Sequence, residues 1–225
     1  MEVTCISEST LKFLQKLKKN NNREWFEEHK PEFKTQQTLI KEFFKQVMLK
    51  LQAHDEITDL KVFRIYRDVR FSHDKTPYKT HFASNFTRAK PNLRGGYYLR
   101  ISPGNSFLAC GFWAPDKKDM NRVRKELEVD ASELRDIMEQ PDFKRYFGHL
   151  KGDELKTAPR GYDKTHHNID LIRKKQWIVT TEFTDTQVLS ESFLTDIDNA
   201  YRAIRPFFDY MSDVLTTDMN GESLV

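Results

Sequence analysis

The segment that decides the fold of this chain is KVFRIYRDVRFSHDKTPYKTH, residues 61–81. Its first half alternates between two kinds of residue. One side carries Phe63, Ile65, Val69 and Phe71 together with Arg67, and the other carries Val62, Arg64, Tyr66, Asp68 and Arg70. A period of two residues indicates a β-strand with one apolar and one polar face, which is typical of an antiparallel sheet. We therefore predict one long strand over residues 61–71, followed by a polar turn and a second basic segment.

Helical periodicity precedes this strand. Ser9 or Thr10 is predicted to cap a first helix, which turns an apolar face inward. That face consists of Leu11, Phe13, Leu14 and Leu17. The run Asn20-Asn21-Asn22 should end this helix, and a longer helix should begin at Pro31. Its apolar residues recur at helical intervals, at Phe33, Ile40, Phe44, Val47 and Leu51.

A hairpin and further helices follow the strand. Residues 97–102 and 106–113 flank a short Pro-Gly-Asn turn, so they should form two paired strands. Helices are predicted after Pro115, after Asp130 (a capping box with Glu133) and at Pro141. Residues 151–163 should be irregular, and residues 177–183 should form a strand. A terminal helix capped by Ser190 should be divided by Pro206.

This order of elements predicts the fold class. Helices come first, strands and a second group of helices follow, and one strand precedes the terminal helix. We predict a single α+β domain over residues 1–225, in which a largely antiparallel sheet packs with N-terminal, middle and C-terminal helices.

Positive charge is concentrated around the deciding segment. Residues 61–100 contain ten Lys and Arg residues against two Asp residues, which is +8, so the rest of the chain carries −5 of the net charge of +3. A region with one sign of charge attracts ligands of the opposite sign.

The remaining composition predicts the compartment. Cys5 and Cys110 lie far apart and lack a metal-binding spacing, so we expect free thiols in a reducing environment. The first residues, MEVTCISEST, have neither the basic nor the apolar region of a signal peptide. The longest apolar run, residues 107–114, is too short to span a bilayer. We expect a cytoplasmic protein without a membrane partner.

The candidate site lies on the polar face of the strand and in the segment after its turn. Arginine donates two parallel hydrogen bonds to an oxyanion, and tyrosine offers a hydroxyl or a ring on which a base stacks. We predict that a phosphate or carboxylate is bound by Arg64, Tyr66, Arg70, Lys75, Tyr78 and Lys79. The alternative is a solvated basic face with cross-strand salt bridges.

Arg67 and Asp68 have different predicted roles. Arg67 points with the apolar residues, so a structural ion pair with a helix Asp or Glu is expected. Asp68 lies beside Arg64 and Arg70, where it orients them or, if desolvated, acts as a general base. Orientation is the preferred interpretation.

Two further groups of residues are weaker candidates. His73, Asp74 and His81 are an alternative set of metal ligands without a diagnostic spacing. Lys156 and Tyr162 lie in the irregular segment LKTAPRGYD, residues 155–163, which is either a second binding segment or a surface loop. No phosphate-binding loop, dinucleotide motif or nucleophile motif is present, and no cofactor is expected.

The segment RIYRDVRFSHDKTPYKTHF, residues 64–82, resembles the signature of the family known as domain of unknown function 2461. Five other segments are similar to that family in the same order: FLQKLKKNNNREWFEEHK, GGYYLRISPG, GFWAP, LKTAPRGYDKTHH and RAIRPFFDYM. The resemblance covers nearly the whole chain and implies a complete single domain, but it implies no reaction. His73 and His167 depart from the family pattern, which weakens a mechanism based on either histidine.

Three functional hypotheses are compatible with these residues. The first is a binding or catalytic module for a phosphate-bearing ligand, namely a nucleotide or a nucleic acid. The second is an enzyme for a small anionic substrate, with or without a metal ion. The third is an interaction module whose basic face binds an acidic partner protein.

Overall fold

The computed structural model describes residues 3–225, which form ten helices and five strands. The helices are α1 (Glu8–Lys19), α2 (Arg23–Glu28), α3 (Lys30–Gln52), α4 (Lys117–Val129), α5 (Ser132–Glu139), α6 (Pro141–Tyr146), α7 (Ile169–Ile172), α8 (Asp185–Val188), α9 (Phe193–Ala203) and α10 (Arg205–Thr216). The strands are β1 (Ile57–Val62), β2 (Phe82–Arg88), β3 (Gly96–Ile101), β4 (Ser106–Phe112) and β5 (Trp177–Phe183).

The five strands form one antiparallel sheet with the spatial order β1-β2-β3-β4-β5. Strands that are adjacent in sequence are therefore adjacent in space. The predicted α+β class is confirmed.

The chain divides into two compact units. The first contains the described residues up to Thr87, with Tyr98–Leu108 and Glu182–Asn199. The second contains Arg88–Tyr97, Ala109–Thr181 and Ala200–Val225. The proposed single domain over residues 1–225 stays a prediction.

Phenylalanine rings form much of the core of the first unit. Helix α1 begins after Ser7, whose hydroxyl accepts a hydrogen bond from the Thr10 amide at 3.3 Å, and its predicted apolar face is buried. The same holds for the predicted apolar face of α3. Phe33 of α3 contacts both α1 and β2, with its ring 6.1 Å from that of Phe13 and 6.2 Å from that of Phe82. Burial of these rings accounts for the association of α1 and α3 with β2.

Aromatic packing also forms the core of the second unit. The Tyr97 ring lies 4.8 Å from Tyr201 and 4.9 Å from Phe208, both with edge-to-face geometry. Gly95 directly precedes β3, the strand that contains Tyr97, and has a φ of 83°. A Cβ atom at Gly95 would lie 2.4 Å from the Phe208 ring. This position therefore requires glycine. Helix α10 contacts both α4 and α5 in the same unit.

One strand prediction is wrong and one strand was missed. The strand at the start of the deciding segment ends at Val62, and most of the predicted residues 61–71 lie outside it. Phe71, predicted to face the core, is 95% exposed. Strand β2 was not predicted, because Ser84 and Arg88 occupy inward positions and interrupt the apolar alternation.

The predicted helix ends differ in detail from the observed ones. The first helix is capped by Ser7 rather than by Ser9 or Thr10. Asp130 accepts hydrogen bonds from the amide and hydroxyl of Ser132 and does not form a capping box with Glu133. The terminal helix divides between α9 and α10 beside Pro206, as predicted. None of the helices within residues 3–225 combines the length and the apolar composition that a bilayer crossing requires.

Candidate anion site

Residues 63–81, called the arm below, form a segment between β1 and β2 that folds back on itself. The Arg67 amide donates to the Pro77 carbonyl at 2.9 Å, and the Lys79 amide donates to the Ile65 carbonyl at 2.7 Å. Tyr66 and Tyr78 face each other in an antiparallel bridge. The arm therefore folds back on itself instead of continuing the strand.

Asp74 and Arg67 hold the turn of the arm. The Asp74 carboxylate accepts hydrogen bonds from the Thr76 amide at 2.9 Å and the Thr76 hydroxyl at 2.8 Å. Arg67 donates to the same carboxylate. These hydrogen bonds, and Arg67 after them, lower the pKa of Asp74 to about 2. The predicted ion pair of Arg67 is confirmed, but its partner is in the turn and not in a helix.

Two basic side chains of the predicted site form hydrogen bonds within the arm. Arg70 donates through Nε and Nη2 to Asp68 at 3.0 and 2.8 Å, which lowers the pKa of that carboxyl. Lys75 donates to the Val69 carbonyl at 3.0 Å. Asp68 therefore orients Arg70, and its lowered pKa makes it a weaker base. Arg70 and Lys75 are less available to an anion than the sequence predicts.

Tyr66 and Tyr78 pack against α2. The Tyr78 ring stacks on Phe26 at 3.9 Å, and Tyr78 is only 4% exposed. Tyr66 approaches Phe26 edge-on at 6.0 Å and remains exposed. Burial raises the pKa of Tyr78. Of the two rings, only that of Tyr66 has a surface open to a ligand.

Four basic residues of the first unit form what we call the basic cluster: Arg64, Lys79, His81 and Arg100. No carboxylate in residues 3–225 forms an ion pair with Arg64, Lys79 or Arg100. The Arg100 Nε atom is buried and has no hydrogen-bond partner among the described residues. A buried guanidinium nitrogen without a partner is costly, so it favours an acceptor from outside the chain.

The pKa values in the basic cluster reflect burial first and repulsion between like charges second. Burial, followed by the charge of Arg64, lowers the pKa of Lys79. Burial, followed by the charges of Arg100 and Lys79, lowers the pKa of His81 to about 4. His81 is therefore neutral at pH 7, and each of the other three residues carries a positive charge. A bound anion would relieve this repulsion.

Aromatic rings surround the basic cluster. The Lys79 ammonium lies 5.4 Å from the centre of the Phe63 ring, and the Arg100 guanidinium lies 5.6 Å from that of Phe107. Tyr98 lies between these rings, 6.1 Å from Phe63 and 5.8 Å from Phe107. Strand alternation explains the placement, since Tyr98 and Arg100 are half-buried while Leu99 and Ile101 between and beyond them are buried.

The structure thus brings together only part of the predicted site. Arg64 and Lys79 belong to the basic cluster. His81 also belongs to it, although the sequence had suggested it only as a metal ligand. Arg100 was not among the predicted site residues, and the signal that could have identified it is its position two residues after Tyr98, on the same face of a predicted hairpin strand.

The alternative metal site finds little support in the geometry. Asp74 is occupied by Thr76 and Arg67, and His73 is exposed. Within residues 3–225, no three His, Cys, Asp or Glu side chains are grouped in a way that could hold a metal ion.

Lys156 and Tyr162 belong to the second unit. Their segment is irregular, as predicted, and the Tyr162 amide donates to the Pro159 carbonyl at 3.1 Å. Lys156 is exposed, and burial raises the pKa of the half-buried Tyr162. Their binding role stays a prediction.

Residues 9–210 match the family model described as "Conserved hypothetical protein (DUF2461)". Neither a curated protein nor a solved structure matches the chain. The matched range includes the whole arm and all four residues of the basic cluster.

Proposed function

We propose that this chain, which belongs to the DUF2461 family, binds a phosphate-bearing anion, a nucleotide or a nucleic acid, at the basic cluster. The observation that carries this proposal is a set of three cations without a carboxylate partner, one of which has a buried and unpaired nitrogen. Protein stability alone gives no reason to gather such charges.

The donor chemistry favours a phosphate group. A guanidinium offers parallel N–H donors that match two oxygens of a phosphate, and an ammonium adds a point charge. Arg64 and Arg100 supply two guanidinium groups, and Lys79 supplies an ammonium. A carboxylate has only two oxygens, so it satisfies fewer of these donors than a phosphate does.

The aromatic neighbours favour a ligand that contains a base. Nucleic acid bases stack on aromatic side chains regardless of sequence. Phe63 and Phe107 are half-buried beside the cations and offer apolar ring surface there. We therefore assign the phosphate to Arg64, Lys79 and Arg100, and the base to these rings.

We propose binding rather than catalysis. The candidate base Asp68 pairs with Arg70 and has a lowered pKa, so it is poorly suited to accept a proton at neutral pH. We also propose a cytoplasmic location, which is supported by the free thiols of Cys5 and Cys110.

The test is equilibrium binding of a fluorescently labelled single-stranded oligonucleotide and of labelled ATP over a salt series. Lys79→Gln and Arg100→Gln should each weaken oligonucleotide binding about tenfold and reduce the salt slope by about one, because each removes a phosphate contact. Lys18→Gln is the matched control, since it removes an exposed charge of the same unit outside the basic cluster.

Two results would reject the proposal. One is binding that does not weaken as salt rises. The other is an equal loss of affinity in Lys18→Gln and Lys79→Gln, which would indicate general attraction to a basic surface.

A further inference from the structure

A cleft of about 580 Å³ lies in the second unit between α5 and α10. Ser132, Glu133, Asp136, Ile137 and Gln140 line it from the side of α5, and Pro206, Asp209, Tyr210 and Asp213 line it from α10. Spacings of three and four residues place each set on one helical face. The cleft is therefore built by two packed helices and not by a loop.

Carboxylates stand on both sides of this cleft. Glu133 and Asp136 belong to α5, and Asp209 and Asp213 belong to α10. Asp209 is paired with Arg205 at 2.8 Å and with Arg88 at 3.5 Å. The carboxylates of Glu133, Asp136 and Asp213 form no ion pair with any residue in the range 3–225. The cleft thus retains about three uncompensated negative charges.

Tyr210 forms the floor of the cleft together with Ile137. Tyr210 is only 9% exposed, and its hydroxyl has no hydrogen-bond partner among residues 3–225. Tyrosine hydroxyls usually have a hydrogen-bond partner, and Tyr210, as a lining residue, can find one in the cleft. Burial, and after it the charges of Glu126, Glu133 and Asp130, raise the pKa of Tyr210.

We propose that this cleft binds an alkylammonium group, supplied by a polyamine or by the lysine side chain of a peptide. An ammonium has three N–H donors and no acceptor. Glu133 and Asp136 lie on one rim and Asp213 on the other, so the carboxylates of each rim accept hydrogen bonds from a different amino group of the ligand, and the Tyr210 hydroxyl accepts at the floor. The apolar side chain of Ile137 contacts the alkyl chain.

A metal ion does not fit this cleft. Divalent cations require several oxygens that converge within about 2.6 Å of one point. The carboxylates lie on two rims of an open cleft, and no three acidic side chains in the described residues are close enough to form such a site. An elongated cation with separated amino groups matches carboxylates on two rims. The assignment is independent of the basic cluster.

The experiment is a titration of the full chain, labelled with ¹³C in its tyrosine rings, at low salt. Spermidine and trilysine are the two probes, and Tyr210→Phe assigns the Tyr210 resonance. Both probes should shift that resonance saturably, whereas tetramethylammonium, which has no N–H donor, should not. A shift with only one probe identifies that source of the ammonium group and supports the proposal.

Matched charge variants localise the binding. Glu133→Gln combined with Asp136→Asn should weaken spermidine at least about tenfold. Glu128→Gln combined with Asp142→Asn also removes two negative charges, from exposed positions outside the cleft, and should change the affinity less than about twofold. Asp213→Asn tests the opposite rim and should weaken binding about threefold or more.

Three outcomes would overturn the proposal. The Tyr210 resonance could remain unshifted with both probes. The two double variants could lose affinity equally, or tetramethylammonium could bind as well as spermidine. Thermal unfolding of each variant separates loss of binding from loss of the fold.

Discussion

Lowering the pH from 7 to 4.5 should destabilise the protein through His81. Burial and the charges of Arg100 and Lys79 lower the pKa of His81 from 6.5 to about 4. In the unfolded chain the pKa returns to its ordinary value. Between these two values the unfolded chain binds a proton that the folded protein does not. The free energy of unfolding therefore falls as the pH falls from about 6.5 to about 4.

The magnitude follows from the two pKa values. At 1.36 kcal/mol for each pH unit, the full difference corresponds to about 3 kcal/mol. Because the imidazole is partly exposed, solvent screening reduces the expected contribution to about 2 kcal/mol. Most of that loss should be present at pH 4.5, where the unfolded histidine is fully protonated.

The assay is urea denaturation of the wild type and His81→Gln at pH 7 and pH 4.5. Glutamine is polar and does not titrate, so the variant should lose about 2 kcal/mol less than the wild type over this interval. Contributions of carboxylates are common to both proteins and cancel. An equal loss in the two proteins would refute the reasoning, and so would a His81 resonance that titrates near 6.5.

The same histidine should report on the proposed ligand. Inorganic tripolyphosphate bound beside Arg100 and Lys79 would stabilise the imidazolium, so the His81 pKa should rise on binding. By linkage, affinity for tripolyphosphate should increase as the pH falls from 7 to 5. A His81 pKa that stays unchanged at saturating tripolyphosphate would place the anion elsewhere.

Three other substitutions test the fold by chemical denaturation. Gly95→Ala should lower the free energy of unfolding by about 3 kcal/mol, because φ is positive and the new Cβ would overlap Phe208. Gly104→Ala, whose new Cβ would have open space around it, should lower the free energy of unfolding by only about 1 kcal/mol. Equal effects of the two substitutions would eliminate the steric explanation. Ser7→Ala should cost about 1 kcal/mol through loss of the α1 cap, and no change would mean that the cap is dispensable. Arg88→Met should lower the free energy of unfolding by about 3 kcal/mol, because Arg88 is 0% exposed and donates hydrogen bonds to a backbone oxygen and a side-chain oxygen. A neutral or stabilising effect would show that packing of the methionine compensates for the lost contacts.

Elements with regular apolar spacing could be predicted from the sequence. The apolar faces of α1 and α3 are buried as expected, and β5 has the predicted bounds Trp177–Phe183. The hairpin of β3 and β4 and the division at Pro206 are also confirmed. In each case burial and local backbone preference favour the same structure.

The arm shows why period-two alternation alone is insufficient. Alternating apolar residues predicted a strand through Phe71, but side-chain hydrogen bonds of Asp74 and Arg67 stabilise a turn that places Phe71 in solvent. Strand β2 was missed for the opposite reason. Its inward Arg88 pairs with Asp209 and donates to Ser212, both more than a hundred positions away in sequence, and such partners leave no local pattern.

The positive charge of the candidate site could be predicted from the sequence, but the set of residues that lie together could not. The concentration of basic residues is visible in the sequence, whereas their pairing depends on the turn geometry. Asp68 and Asp74 are the only acids in residues 61–100, and they neutralise Arg70 and Arg67 respectively. Arg64 and Lys79 remain from the predicted site, and Arg100 joins them because the hairpin places it on the half-buried face of β3.

The pairing pattern itself is an argument for function. Every arginine of the basic segment that has a structural role has a carboxylate partner, namely Arg67, Arg70, Arg88 and Arg94. Among residues 3–225, Arg64 and Arg100 have no carboxylate partner. The charge of Arg64 contributes to the lowered pKa of Lys79, and the charge of Arg100 contributes to the lowered pKa of His81. Uncompensated repulsion opposes folding, so selection for stability would have supplied an acid or removed a charge. The unpaired charges of the basic cluster therefore support the proposal that an anion binds there.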